Sequence, residues 1–512
     1  MSSAFWSNSV NTNAHAPYIC LVNSSHMFVQ LHRKISPSHA EELKNNVRIA
    51  SLALNNAQAD LAEQIKHDQA HDVLSKEHKL IPVETIQSWL PSKELDALSM
   101  VLHSAPLHVV DQDFEQVSIL KARNFNLVLP GNVCPSNQMY SGRCWMFAGL
   151  NMLRRTLIVR CQLRPDFELS QSYLFFWHYF EQYNDMLNLF FYDKDISSME
   201  KSDLLQKPLH DGGNWITFKR LSHKYGVVPK SAYRESWPSS HSSEMNKILC
   251  HLLQNDICHC HGISDAQAFV EFRDTRLRNV LHILCSCMGT PPMEAYSCVL
   301  DTTTNKRLKL EGTPLSLLDM TDAFVNIEQH IQVIHDPRAA DRTWHTTEHQ
   351  SLQNTPELFF NVTDMQQITR AVTASIASGR GVWFACNMNE DVSPALQGMA
   401  LGLYRPDKFL PPGNDLTMTK LNRMEWGRAQ CNHAMLIVGV ETDGDGHAKA
   451  FEIENSWGAK GPGKGFYKMT LEWFHEHVYT VVLHRDVLTS VGILLPERPS
   501  DVPAYPYSDL FG

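Results

Sequence analysis

The chain has 512 residues, 43% hydrophobic and 20% charged, a composition typical of globular proteins rather than disordered or fibrous ones. This length predicts two to four domains or one large elaborated domain. The formal net charge of −10 argues against nucleic-acid binding by the whole chain, and the basic residues are scattered rather than clustered. Because no apolar run approaches the ~18 residues of a membrane helix, we predict no membrane partner.

Residues 1–40 lack sustained periodicity and predict a flexible N-terminal arm. The arm is rich in Ser and Asn and contains no acid, as in a transit peptide, but its bases Arg33 and Lys34 come late. Twelve cysteines without a secretory signal indicate reduced thiols. We therefore predict a cytoplasmic protein, with a mitochondrial location as the alternative.

Helical patterns dominate residues 41–230, apart from a mixed stretch with loops at 105–136. Ser141 and Gly142 form a start signal that places Cys144 in the first turn of an apolar helix. Unpaired N–H groups at that helix end favour thiolate and can lower a cysteine pKa below about 8.5. Further helices are predicted at Glu41–Glu63, Asp96–His103, after a Ser170 cap, and at Trp215–Tyr225.

The periodicity changes along the rest of the chain. Residues 231–378 are mostly helical or mixed, and a helix from Met365 stops at Gly379. Residues 379–495 contain short apolar or alternating runs bounded by Gly, Asp and Asn, which predict an antiparallel sheet. Helices first and strands last indicate an α+β fold with the active site between the two parts.

Five residues can form a cysteine-based catalytic site. Cys144 supplies a nucleophile, His433 at a strand entrance a base, and Asn455 an oxygen that orients the imidazole. The amide of Gln138 and the Cys144 N–H can form a two-donor oxyanion hole. Trp457 can cover the His433–Asn455 bond from water.

These residues, in the order Gln-x5-Cys-Trp, Asn-His-Ala and Glu-Asn-Ser-Trp-Gly, resemble the papain-like cysteine peptidases. Two differences from the simple secreted papain-like enzymes narrow the choice of family within this class. Ser141 stands where secreted members carry a disulfide-bonded cysteine. The spacing of 289 residues between Cys144 and His433 exceeds the roughly 130 to 150 of the simple enzymes, which predicts a large insertion.

Longer motifs resemble the bleomycin hydrolase family of cytosolic cysteine aminopeptidases. They are Ser141–Trp145, Leu169–Trp177, Asp211–Gly213, Lys224–Lys230, Asp336–Arg338 and Val382–Phe384. The resemblance implies a papain-like core of two lobes, one helical and one antiparallel β, with large helical and hook-like insertions, the latter within 231–378. It also implies a homohexamer that forms a hollow barrel.

The family resemblance also implies a substrate class, peptides with a free N-terminus. In this family the C-terminal tail, here residues 496–512, lies in the active-site cleft, and its terminal carboxylate holds the substrate's α-amino group. Gly512 would take that role, although the family pattern ends in a small Ala-type residue. Gly212 and Gly213 would line the cleft and let a substrate backbone pair there; a plain turn is the other interpretation.

Other functions remain open at this point. Cys258-His259-Cys260-His261 suggests zinc, but adjacent residues point away from one another on a helix, so we predict no metal and no cofactor. A papain-like endopeptidase with an open cleft is the alternative enzyme. A nucleic-acid-binding or chaperone-like ring with a vestigial site is the third reading.

Overall fold

The computed structural model describes residues 83–89, 100, 102–192, 201, 204–347, 358–410, 416–499, 501–506 and 509–511. The chain divides into two compact units, residues 1–99 and 100–512. Helix α1 (Val83–Trp89) belongs to the first unit. The predicted arm over 1–40, the predicted helix Glu41–Glu63 and residue Gly512 lie outside the described residues.

The helices of the second unit lie mainly in its first half. They are α2 (Leu107–Val110), α3 (Phe114–Lys121), α4 (Cys144–Cys161), α5 (Gln171–Tyr192), α6 (Trp215–Tyr225), α7 (Trp237–Ser240), α8 (Ser243–His261), α9 (Ala266–Met288), α10 (Pro314–Val325), α11 (Met365–Ala377), α12 (Lys420–Glu425), α13 (Leu471–His477) and α14 (Arg485–Ser490). Two 3-10 helices span Ile327–Gln329 and Pro406–Phe409.

The predicted helix starts and stops are largely confirmed. Cys144 is the first residue of α4. The Ser170 hydroxyl accepts a hydrogen bond from the Tyr173 N–H at 3.1 Å, so it caps α5 as predicted. Asn214 caps α6 in the same way, and Gly226, with a φ of 74°, follows that helix. Most residues of α5 are buried, as its apolar sequence predicted.

The strands lie mainly in the second half of the chain. They are β1 (Leu127–Val128), β2 (Tyr296–Asp301), β3 (Arg307–Gly312), β4 (His330–Ile334), β5 (Trp344–Thr347), β6 (Phe359–Asn361), β7 (Val382–Cys386), β8 (Val392–Ser393), β9 (Gly398–Met399), β10 (His433–Thr442), β11 (Ala448–Glu454), β12 (Phe466–Thr470), β13 (Val478–His484) and β14 (Ala504–Tyr505). Strands β2 and β3 form a separate hairpin.

The remaining strands among the described residues form one sheet. Its order is β14-β5-β6-β4-β13-β7-β10-β11-β12-β9-β8, with β1 beside β10. The run from β4 to β12 is antiparallel, as predicted, but β4–β6, β12–β9 and β14–β5 are parallel pairs. Strands β4, β5 and β6 all precede residue 379, so the sheet extends across the predicted boundary between the insertion and the β-rich lobe.

Helix α4, which begins at Cys144, packs on the middle of this sheet, chiefly against β10 and also against β7. Strand β10 is buried over its first eight residues, because both faces of the sheet are covered there. This packing brings Cys144 to the start of β10, where the Ala434 N–H bonds to its thiol, across the large intervening segment. Within the described part of the chain, no helix is long and apolar enough to cross a membrane.

Candidate active site

Cys144 lies at the buried N-terminus of α4, and the loop before it is fixed by polar contacts. Ser141 donates from its hydroxyl to the Gln138 carbonyl at 2.7 Å and accepts from Arg143 Nε at 2.8 Å. The buried Arg143 guanidinium also pairs with Glu235 at 3.1 Å. Ser141, the residue that departs from the secreted enzymes, therefore helps to hold the loop through hydrogen bonds.

The predicted base and its orienting amide meet on two neighbouring strands. His433 is the first residue of β10, and Asn455 directly follows β11, which pairs with β10. The His433 Nε2 and Asn455 Oδ1 atoms are 2.9 Å apart, and both side chains are buried. This bond uses Nε2, so Nδ1 is the ring nitrogen that the predicted proton exchange with Cys144 would use.

A buried ion-pair cluster secures the strand end beside Asn455. Arg154 and Arg155 of α4 bind the two carboxylate oxygens of Glu454 at 2.5 and 2.8 Å. Burial alone would raise the pKa of Glu454, but the two guanidinium groups outweigh it and lower that pKa. The helix that begins at Cys144 is thereby bound to the residue preceding Asn455.

The thiol and the imidazole lie in a buried environment that opposes charge on either group. Burial raises the pKa of Cys144, although the N–H groups of Ala434, Trp145 and Cys144 act in the opposite direction. Burial also lowers the pKa of His433 to about 4, although the Asn455 bond opposes that shift. The prediction that the helix end lowers the Cys144 pKa is therefore wrong in its net direction. A thiolate and an imidazolium can form here only as a pair in which each charge offsets the desolvation of the other.

Gln138 is held in an orientation suited to an oxyanion donor. Its Nε2 donates to the Ser141 carbonyl at 2.7 Å, and its Oε1 accepts from the Ser456 hydroxyl at 2.6 Å. With the oxygen so occupied, the second Nε2 hydrogen remains for a substrate oxygen. Ser456 also donates its N–H to Asn455 Oδ1 at 2.7 Å, so this one residue links the predicted oxyanion donor to the orienting amide.

Gly212 and Gly213 lie beside the nucleophile loop. A Cβ atom at Gly213 would come within 2.6 Å of the Trp145 ring, so close packing against the residue after Cys144 requires glycine there. The Trp145 indole donates to the Asp211 carbonyl at 2.8 Å. These contacts place the paired glycines next to Cys144, which is compatible with their predicted place in the cleft.

Asp211, which precedes these glycines, organises the loop through its carboxylate. It accepts hydrogen bonds from the Gly142 N–H at 2.9 Å, from Asn246 at 2.7 Å, and from the Tyr179 and Ser242 hydroxyls. Burial alone would raise the pKa of Asp211, but these bonds outweigh it and lower that pKa. The carboxylate thus ties the nucleophile loop to helices α5 and α8.

Trp457 lies where the sequence predicts a cover for the catalytic pair. Its ring centroid is 4.9 Å from that of His433, at an angle of 36°. The side chain is 38% exposed, so one part of it shields the imidazole while another faces solvent.

On α8, Cys258 is exposed and Cys260 is buried, so the two thiols of the considered zinc motif point to different sides.

Two positioning residues were missed at the sequence level. Ser456 lies in the Glu-Asn-Ser-Trp-Gly motif and Asp211 in the Asp-Gly-Gly motif, but roles were predicted only for other residues of these motifs. The sequence signal for Asp211 is its position as a carboxylate directly before the two glycines. The identity of its donors, which come from three separate segments, could not be read from the sequence.

The site thus joins a helix-terminal cysteine, a strand-borne histidine, an orienting asparagine and a fixed glutamine, and this set defines a papain-like cysteine peptidase. The Peptidase C1-like family model matches residues 91–504. Aminopeptidase C of Lactococcus lactis is 30% identical over 378 residues, or 72% of this chain and 84% of that protein. Bleomycin hydrolase of Homo sapiens is 30% identical over 447 residues, or 82% of this chain and 98% of that protein.

The crystal structure of PepW from Lactobacillus rhamnosis is similar with a TM-score of 0.74 and 26% identity, covering 80% of this chain and 94% of that one. The chain therefore belongs to the Peptidase C1-like family, in the bleomycin hydrolase group that its sequence motifs indicated. The α+β papain-like fold predicted from the sequence is confirmed.

Proposed function

We propose that the protein is a cysteine-type aminopeptidase that removes N-terminal residues from peptides and aminoacyl amides. The observation that carries the proposal is the bond between His433 Nε2 and Asn455 Oδ1, at the start of strand β10, whose Ala434 N–H bonds to the Cys144 thiol. The names of the relatives, aminopeptidase C and bleomycin hydrolase, support the same reaction.

In the proposed acylation step, Cys144 Sγ attacks the scissile carbonyl carbon while its proton passes to His433 Nδ1. The carbonyl oxygen becomes an oxyanion that accepts hydrogen bonds from Gln138 Nε2 and the Cys144 N–H. His433 then gives the proton to the leaving amine, and the C–N bond breaks to leave a thioester. Water, deprotonated by His433, attacks the thioester, releases the N-terminal residue and restores the thiol.

The restriction to free N-termini would come from the C-terminal tail, with the Gly512 carboxylate pairing with the substrate's α-amino group. Gly212, Gly213 and Trp457 would contact the substrate. No metal or cofactor enters this reaction. By the family resemblance we also propose a homohexamer in the cytoplasm, with a mitochondrial location as the alternative; light scattering on the native protein tests the hexamer.

The test compares Cys144→Ser with Cys161→Ser, which changes the last residue of the same helix. We expect the first variant to lose hydrolysis of aminoacyl fluorogenic amides by ~10⁴-fold or more, because a neutral hydroxyl replaces the nucleophilic thiol. The second variant should keep its activity. Undiminished turnover by Cys144→Ser would contradict the proposal.

Substrate class is tested separately with matched free-amino and N-acetylated peptides. An aminopeptidase prefers the free-amino substrate strongly, and removal of residues 506–512 should abolish the preference. Equal turnover of both substrates by the full-length chain would instead indicate the endopeptidase with an open cleft. Tight, salt-sensitive DNA binding without hydrolysis would favour the nucleic-acid-binding ring.

A further inference from the structure

The C-terminal tail is seated on the edge of the main sheet. Strand β14 pairs in parallel with β5, and the Thr346 N–H donates to the Pro503 carbonyl at 3.0 Å. Further along, the Phe511 ring packs against a cluster formed by Ile216, Ile334 and Phe359. Ile216 lies in the first turn of α6, three residues after Gly213. The last described residue of the tail therefore packs against the start of α6 and strands β4 and β6.

A buried aspartate provides the first fixed point for this tail. Asp336 is fully buried, and its N–H donates to Asn361 Oδ1 at 2.9 Å while its carbonyl accepts from Asn361 Nδ2 at 3.0 Å. The Tyr505 hydroxyl donates to Asp336 Oδ2 at 2.7 Å. The backbone of Asp336 is thus held on both sides, so its carboxylate is a rigid acceptor for the tail tyrosine.

An arginine provides the second fixed point. Arg338 binds Asp336 through Nε and Nη2, at 3.0 and 2.9 Å. Its guanidinium also binds Asp509 through two bonds, from Nη1 at 2.9 Å and from Nη2 at 3.1 Å. The two side chains of that second pair are 23% and 14% exposed, so the pair is largely shielded from solvent. A planar guanidinium bound at both oxygens fixes direction as well as distance.

The Asp509 carboxylate also determines the course of the final residues. Its Oδ1 accepts the Phe511 N–H at 3.1 Å, and the Asp509 N–H donates to the Pro506 carbonyl at 2.9 Å. The turn that leads to the chain end is therefore built on the same carboxylate that Arg338 holds. A shift of Asp509 would move Phe511 with it.

We propose that Asp336 and Arg338 form a tail clamp that fixes the course of the tail at Tyr505 and from Asp509 to Phe511, and thereby controls the preference for free N-termini. The inference rests on the proposed function, because the tail must act as the gate for its position to matter. Asp336 and Arg338 are positioning residues, since they hold Tyr505 and Asp509 rather than the substrate. The clamp acts at least three residues before the terminus and leaves the catalytic set untouched.

The experiment measures kcat/KM for matched free-amino and N-acetylated peptides and compares their ratio between full-length variants. Tyr505→Phe removes the hydroxyl bond to Asp336, and Asp509→Asn removes the charge that Arg338 binds. The double variant should lower the ratio on the order of tenfold, because a misplaced terminus no longer meets the α-amino group. Asp509→Glu in place of Asp509→Asn keeps the negative charge, so the ratio should be higher than in the double variant. Asp501→Asn, an exposed carboxylate of the same tail, should leave it unchanged.

The ratio separates positioning from stability, because a loss of folded enzyme lowers both kcat/KM values equally. A lower ratio in the double variant, together with a lower ratio after removal of residues 506–512, supports the clamp. A lower ratio in the truncated chain alone overturns the clamp and leaves the proposed function standing. An unchanged ratio in both overturns the tail gate of the proposed function and the clamp with it.

Discussion

Replacement of Asp211 by Asn tests whether loop anchoring governs both stability and catalysis. The carboxylate accepts four hydrogen bonds, among them those from Gly142 and Asn246. Bonds to a charged group contribute about 1.5–3 kcal/mol, against about 0.5–1.5 kcal/mol for neutral ones. The lost charge should therefore cost about 1 kcal/mol per bond, and the smaller desolvation of a neutral amide offsets part of it. We expect a net loss of about 2 kcal/mol in the free energy of unfolding.

Urea unfolding followed by tryptophan fluorescence measures that loss, and kcat/KM on an aminoacyl amide measures the effect on the site. We expect kcat/KM to fall on the order of tenfold, because the Gly142 N–H loses its charged anchor two residues before Cys144. Asp319→Asn, on an exposed face of α10, is the matched control and should change neither quantity. A surface change usually alters the free energy of unfolding by no more than about 0.5 kcal/mol. If the value for Asp211→Asn lies within that range of the unchanged protein, and its kcat/KM stays within about twofold, the anchoring role of Asp211 is refuted.

Three further changes test the site. Asn455→Ala should lower kcat/KM on the order of 10²-fold, because His433 loses its 2.9 Å bond; near-normal activity would contradict this role. The same change should lower the free energy of unfolding by about 1–3 kcal/mol, because the buried His433 and Ser456 donors lose their acceptor. Glu454→Gln should cost about 3–5 kcal/mol in urea unfolding, since Arg154 and Arg155 lose their buried carboxylate; a loss below about 1 kcal/mol would count against the cluster. Burial lowers the His433 pKa to about 4, so the imidazole stays neutral and able to accept a proton above about pH 4. We therefore expect kcat/KM to fall only below about pH 4. A fall near the ordinary histidine pKa of about 6.5 would contradict this prediction.

The lowered pKa of His433 also determines how the stability of the protein depends on pH. The folded-state pKa of His433 is below its unfolded value, so between about pH 6.5 and pH 4 the unfolded chain binds a proton that the folded chain does not. Stability from this group is complete above the unfolded pKa and is lost as the pH falls toward the folded one. The melting temperature should therefore decrease as the pH is lowered through this window, and calorimetry measures that trend.

The local elements were accessible from the sequence because their signals are local. Ser170 marks a helix start through its side-chain hydroxyl, Gly226 marks a helix end through its positive φ, and the short apolar runs after residue 379 indicate strands. Cys144, His433, Asn455 and Gln138 were predicted as a set, and the structure places His433 with Asn455 and Gln138 with Ser456.

The remaining features depend on contacts between distant segments. The net pKa of Cys144 follows from how deeply α4 is buried, which no helix-end rule gives. The parallel edge pairs require the positions of β5, β6 and β9 relative to their neighbours. The donors to Asp211 come from three segments whose meeting is a property of the packed chain.

The pairing of β10 with β11 has a consequence for the order in which the chain becomes active. His433 and Asn455 lie on one hairpin and are only 22 residues apart, so their bond can form early and locally. Cys144 lies on a helix synthesised much earlier and meets the hairpin only through a long-range contact. During translation Cys144 is therefore made long before the hairpin, and the set of residues proposed for catalysis is complete only after the C-terminal third of the chain has folded onto α4.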